Sequence, residues 1–303
     1  MQKGANYDGE IEQEGKETVK NRIIDDFSLA GVIGFTLIPL LLAFGMSLTN
    51  YSFLSKFKFI GFQNYITMFT KDPLIWKSLG ITFIYAILAV PLQLMFGFLL
   101  ANLLNQKLRG IVVYRTIFYI PCLIVVVSST LLWRQMLDTD FGVINYLITR
   151  LGIRKVSWLS QTATIIASTV LISLWQSGKL IIINLSGLQG IPTSLYEAAD
   201  LDGCSKLRQV FYITMPLMTP VLFMNLIMGL IGAFKSFTLI KILTDGGPDN
   251  ASLVYMLYLY KNAFVNFKLG YANAMSILLF VIVGALTILV FRSAEKWVYY
   301  GGE

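Results

Sequence analysis

Tyr196-Glu197-Ala198-Ala199-Asp200-Leu201-Asp202-Gly203, followed at a distance by Ile213, Pro216 and Pro220, is a polar segment set between two long apolar runs. Ser194 with Glu197 three residues later has the pattern of a capping box, and Gly203 is placed to end the short helix that the box would start. Cys204-Ser205-Lys206-Leu207-Arg208 then reads as an amphipathic second piece, leading through Phe211 and Ile213 to Pro216. Two short helices joined at a glycine predict a compact knob on one side of the chain. Such a knob either passes contact to a soluble partner or simply joins its two neighbours, and Glu197 either meets that partner or only caps its own helix.

The neighbours of that segment set the solvent. Of 303 residues, 56% are hydrophobic and only 14% charged, against about 25% charged in an ordinary soluble domain; the mean hydropathy is +0.68. A helical span needs about 20 predominantly apolar residues. Six stretches qualify: Phe27–Leu48, Leu79–Leu104, Ile111–Leu137, Thr164–Leu188, Met215–Leu243 and Tyr271–Phe291. Unpaired backbone is costly in lipid, so continuous runs of this length are helices rather than barrel strands. The expected fold is therefore all-α, a polytopic membrane protein with six transmembrane helices. Residues 1–26 hold seven of the seventeen acids and read as a solvated acidic tail; residues 27–292 form the membrane domain, with the polar segment at 189–214, and 293–303 a short C-terminal tail. The first apolar run has no basic start and no small-residue cleavage site, so it reads as a retained helix.

What is missing narrows the chemistry. There is no histidine, which removes His-based zinc sites, His proton relays and Ser-His-Asp or Cys-His catalysis. Cys122 and Cys204 lie in different segments and suggest neither a disulfide nor a metal site. Gly178-Lys179-Leu180 lacks the upstream glycine and the hydroxyl residue of a nucleotide-binding loop, so any nucleotide belongs to another chain. The net charge of +7 is spread over loops and gives no nucleic-acid signal. Basic residues hardly orient the chain. With the termini inside, eleven Lys and Arg fall inside and ten outside, with Lys107, Arg109 and Arg115 favouring inside.

Glu197-Ala198-Ala199, three residues, Gly203, nine residues, then Ile213-x-Met215-Pro216 resembles the signature loop of ATP-binding-cassette (ABC) importer permeases. Met215 stands where that family usually has leucine and Cys204 where alanine is common; both swaps keep the apolar character. Leu243-Thr244-Asp245-Gly246-Gly247-Pro248 resembles the Thr-x-Gly-Gly-Pro turn of carbohydrate-uptake permeases of the maltose-permease type. Gly61-Phe62-Gln63-Asn64-Tyr65, Trp158-Leu159 and Gly270-Tyr271-Ala272 fit the same group, and together these cover most of the chain from Phe27 onward. The large external domain of the maltose permease is absent.

The resemblance implies a transport subunit with the ABC importer permease fold and no catalysis of its own. Glu197, Ala198, Ala199, Asp202 and Gly203 would form the coupling helix, seated in a cytoplasmic ATPase subunit, with Glu197 pairing a basic residue there. It further implies a second homologous permease subunit, two cytoplasmic ATP-binding subunits that hold ATP and Mg, and an extracytoplasmic solute-binding protein. The chain would sit in a bacterial or archaeal cell membrane with both termini cytoplasmic, bound by lipid and not by nucleic acid.

Polar groups inside spans are candidates for the substrate path. Gly229, Gly232, Ala233 and Ser236 recur at i, i+3, i+4, i+7 and so share one small-residue helix face. That face serves either helix packing or, as the resemblance implies, a sugar pocket roomy enough for an oligosaccharide. Trp175, Gln176 and Lys179 fall on one side of the expected fourth span, where a ring, an amide and an ammonium suit a sugar. Arg134 and Lys235 add two cations that either meet substrate or snorkel to an interface. Lys179 lies about nine residues, roughly 13 Å, from its span end, and the spans hold no acid to pair it; unpaired cations favour an acidic glycan such as a uronate oligosaccharide. Pro39, Pro91, Pro121 and Pro220 bend spans for gating or merely shape a static bundle. Val143 to Leu151, with Arg150, Arg154 and Lys155 at its end, reads as an interfacial helix in an external loop that either receives the binding protein or only anchors to the surface. The rival readings are an ABC permease for another solute, a self-contained secondary transporter, which would normally show intramembrane acids and inverted repeats, and a membrane enzyme, for which no constellation stands out.

Overall fold

A computed structural model describes residues 31, 33–52, 57–106 and 109–299. The acidic tail and the start of the first expected span lie outside the described residues. Helix α1 (Ile33–Ser47) leads to α2 (Gln63–Thr70) and to α3 (Pro73–Leu104), then α4 (Ile111–Leu123), α5 (Val126–Met136), α6 (Val143–Arg150), α7 (Thr162–Trp175), α8 (Gly178–Gln189) and α9 (Thr193–Leu201). The chain closes with α10 (Lys206–Phe234), α11 (Thr238–Thr244), α12 (Tyr255–Tyr260) and α13 (Leu269–Ala294). The fold is all-helical among the described residues apart from one isolated bridge, Thr49 to Phe59.

Three helices are each long and apolar enough to cross a membrane alone: α3, α10 and α13. Helix α3 starts six residues before the expected Leu79, because the Asp72 carboxylate accepts from the Leu74 N–H and Pro73 needs no partner for its missing one. It forms the spine of the bundle. Its buried face, from Tyr85 through Val90 to Phe98, packs against α7, α8 and α10.

The expected third and fourth spans are not single helices. The third breaks between α4 and α5 with a bend of 100°. Ile124 and Val125 are extended there; they follow Pro121, which cannot donate to the preceding turn, and they belong to a β-branched run that gains little from a helix. The fourth breaks between α7 and α8 with a bend of 48°. Gly178 makes this junction possible: a Cβ there would stand 2.8 Å from the Phe118 carbonyl oxygen and 3.2 Å from the Cys122 sulfur. The break therefore lets α8 lie directly on α4. The expected fifth span also ends early, at Phe234; Leu239, Ile240 and Leu243 belong instead to α11, which packs beside α5.

Many apolar side chains remain exposed, among them Phe35, Leu41, Val112 and Leu123. On a polytopic helical protein these are the surfaces that face lipid.

Candidate functional site: a central cavity and a polar knob

Where α3, α7, α8 and α10 diverge they leave a cavity of about 500 Å³. Of the residues expected along a substrate path, Gln176, Lys179, Gly229, Gly232, Ala233 and Ser236 all line it. They meet for a reason different from the one expected. Gln176 and Lys179 flank the break between α7 and α8, so they are not one face of a continuous helix, and Ser236 lies beyond the end of α10. The break turns Gln176 toward α5, where its Nε2 donates to Ser129 Oγ at 2.7 Å.

Trp175 is not among the lining residues; its ring meets Trp133 edge-on with centroids 5.7 Å apart. Lys235 is exposed and also off the cavity. Arg134 lines a separate hollow, and its guanidinium donates to the Ile242 carbonyl at 3.4 Å. Neither cation joins Lys179, which is the one charged residue in the described lining.

The cavity adds residues that the helix-face reading passed over: Tyr85, Gln93, Ser173, Ser177 and Asn225. Gln93 and Asn225 carried a usable signal, as amides inside apolar runs. Asn225 Nδ2 donates to Asn184 Oδ1 at 3.0 Å, tying α10 to α8. Asn184 is fully buried and its own Nδ2 has no acceptor.

At the other end of α8 stands the knob. Helix α9 carries Glu197 and Ala198 exposed and Ala199 half-buried, with Asp202 exposed just past its end. The expected capping box is absent. Helix α9 begins at Thr193, behind Pro192 with φ −58° and ψ 129°, and no side chain caps it. Proline sets the entry angle, so Ser194 falls inside the first turn rather than at the cap. The helix end matches expectation. Gly203, at φ 69°, lets its own N–H reach the Asp200 carbonyl at 3.1 Å and the Cys204 N–H reach the Ala199 carbonyl at 2.9 Å, the paired bonds of a Schellman turn.

The piece after Gly203 is not a second free helix, because Lys206 onward is the first turn of α10. A staple holds the two together. Lys206 Nζ reaches both Asp200 carboxylate oxygens, at 2.7 and 2.8 Å, and the buried Gln209 amide donates to the same carboxylate. These donors hold the Asp200 carboxyl below the usual carboxylate range. Tyr196 Oη and Thr214 Oγ1 share a further hydrogen bond of 2.9 Å. Apolar side chains of the knob face outward, with Leu201 90% and Leu207 73% exposed.

A polytopic helical bundle with a central cavity and a stapled polar knob fits a membrane transport component. Residues 82–298 match the family model of the binding-protein-dependent transport system inner membrane component, and the chain belongs to that family, the permease subunits of ABC transporters. It is 40% identical over 276 residues to the probable ABC transporter permease protein YesP of Bacillus subtilis, covering 90% of this chain and 89% of that one. It is 32% identical to the trehalose/maltose transport system permease protein MalF of Thermococcus litoralis, covering 87% of this chain and 90% of that one. The fold matches the crystal structure of a bacterial ABC transporter that imports the acidic polysaccharide alginate, with a TM-score of 0.80 over 94% of this chain and 99% of that chain at 20% identity. Membership of this family sets aside the self-contained secondary transporter.

Proposed function

We propose that this chain is one permease subunit of an ATP-driven importer for oligosaccharides, with an anionic glycan as its preferred cargo. The observation that carries the reading is the central cavity. Its lining mixes amides, hydroxyls and apolar side chains, holds Lys179 as its single charge, and includes no carboxylate among the described residues. Amides and hydroxyls recognise sugar hydroxyls, and a lone cation favours an anion. Gly232 stands open on the wall, where a side chain would take up room, whereas Gly229 lets α10 approach Val90 of α3 closely and Ala233 is buried in the same cluster. The similarity to the trehalose/maltose permease MalF supports carbohydrate as the cargo class.

In this reading a second, homologous permease completes the pathway and two cytoplasmic subunits bind ATP and Mg. The knob of α9 is the coupling helix, which places both termini in the cytoplasm. Glu197, exposed on α9, pairs a basic residue of the ATPase, and Leu201 and Leu207 fill apolar ground around it. Mild-detergent purification of tagged protein from its native membrane tests the assembly. Wild type brings down an ATPase and a second permease, whereas Glu197→Lys loses the ATPase and keeps the permease. Wild type recovered folded but without an ATPase in several detergents overturns the reading.

A further inference from the structure

A second cavity, of about 440 Å³, opens at the end of α3 opposite the knob. It lies between the chain after α1, helix α2, Lys71 and Asp72, helix α12, and the start of α13. Eight of its eleven lining residues are Asn, Ser, Thr, Lys or Asp, and the other three are tyrosines, each with a hydroxyl. It shares no lining residue with the central cavity. Along α3 the nearest cavity residue, Tyr85, is thirteen residues from Asp72, roughly 20 Å. The pocket is therefore separate from the central cavity.

Its charges are arranged unequally. Two lysines, Lys71 and Lys268, line it against one acid, Asp72. The acid is already engaged: its Oδ2 accepts from Tyr258 Oη and from Tyr271 Oη, each at 2.6 Å, and its Oδ1 accepts from the Leu74 N–H. Both lysine side chains are without an ion pair or hydrogen bond among the described residues. The tyrosine pair thus binds Asp72 in place and leaves two ammoniums to whatever enters from outside. An exposed cation gains little alone, but two in one polar recess attract an acidic group and speed its encounter.

We propose that this pocket is the socket in which an acidic side chain of the extracytoplasmic solute-binding protein docks, with Lys71 and Lys268 as its cationic contacts. The inference rests on the importer reading, since the family's own description makes transport dependent on a binding protein. The partner has to meet the permease at the end opposite the knob. The described residues there offer this recess, whose net charge is positive and whose lining is mainly polar, as for a contact that forms and releases in every cycle.

The test uses the whole importer in nanodiscs and, as probe, the purified solute-binding protein of that importer. Lys71→Glu/Lys268→Glu should weaken binding of that protein at least tenfold, mainly through slower association, and should reverse the salt dependence, so that added salt strengthens binding where it weakens that of the wild type. Recovery of the ATPase with the variant and its basal ATP hydrolysis should be unchanged, which separates failure of the socket from failure of the importer reading. The neutral pair Lys71→Gln/Lys268→Gln should give an intermediate loss, and a charge reversal on one acidic residue of the binding protein should restore affinity to the Glu pair. Unchanged affinity in both variants overturns the proposal. So does a loss of anionic lipid from the purified complex with binding-protein affinity intact, which would make the pocket a headgroup site.

Discussion

Asn184 and Asn225 show how much one amide matters inside this bundle. Their hydrogen bond joins α8 to α10 beside the central cavity, with Asn184 accepting through Oδ1 while its own N–H groups find no acceptor. Breaking one side of a buried pair costs about 1–3 kcal/mol, whereas replacing both partners with apolar groups of similar shape is close to neutral. Asn225→Leu should therefore lower the Tm of the purified importer, and Asn184→Leu/Asn225→Leu should recover most of the loss. Asp200 is a different case, an exposed carboxylate whose pKa is lowered first by Lys206 and then by Gln209. A carboxyl depressed in the folded state contributes above its unfolded pKa of about 3.9 and loses that contribution as pH falls through the lowered folded value. Shifting from pH 7 to pH 5 should leave hydrogen exchange in residues 199–209 unchanged once intrinsic rates are corrected. Asp200→Asn should raise it at both pH values.

At the scale of elements, the protein depends on where its helices stop. Helix α9 ends cleanly because Gly203 takes a left-handed conformation that closes the turn onto Ala199 and Asp200. A side chain in that region costs roughly 1–2 kcal/mol. Gly203→Ala should thus fray the end of α9 and misplace Asp202, cutting ATP-driven uptake several-fold while the permease pair still assembles. Uptake by vesicles alongside co-purification of the two permeases measures both. The same lesson applies inside the membrane. The interruptions at Ile124–Val125 and at Gln176–Ser177 leave room that continuous helices would fill, and Gln176 bridges from one break toward the α5 side of the other.

For the whole molecule, cargo choice on the proposed reading is a property of the assembled pathway, of which this chain would supply one wall. Lys179 is the single charge on that wall and has no carboxylate partner among the described residues. Lys179→Ala should lower uptake of uronate oligosaccharides about tenfold or more, while neutral oligosaccharides of similar length change less than twofold. Competition assays in proteoliposomes measure the ratio, and equal effects on both classes would remove charge from the basis of selection.

Much of this was legible in the chain itself. The long apolar runs marked the membrane-spanning elements because lipid forces each backbone segment to satisfy its own hydrogen bonds. The position of Gly203 gave the end of α9 because only the local backbone is involved. The small-residue set Gly229, Gly232, Ala233 and Ser236 shares a side because helical spacing survives across most of α10, but spacing alone left helix packing and a cavity wall equally open. The break in the third span has a local cause, Pro121 with the β-branched run after it, but the break in the fourth was not legible. That one goes with a contact between Gly178 and Phe118, sixty residues apart in sequence. Once the fourth span bends, Trp175 turns to Trp133 while Gln176 and Lys179 stay with the cavity, and no periodicity can separate them. The polar pocket around Asp72 was hidden for the same reason, since Tyr258 and Tyr271 reach that carboxylate from almost two hundred residues away. Sequence alone determined which segments enter lipid and where local turns close. Only the tertiary structure decided which side chains share a cavity, because that follows from contacts between helices that the chain order does not encode.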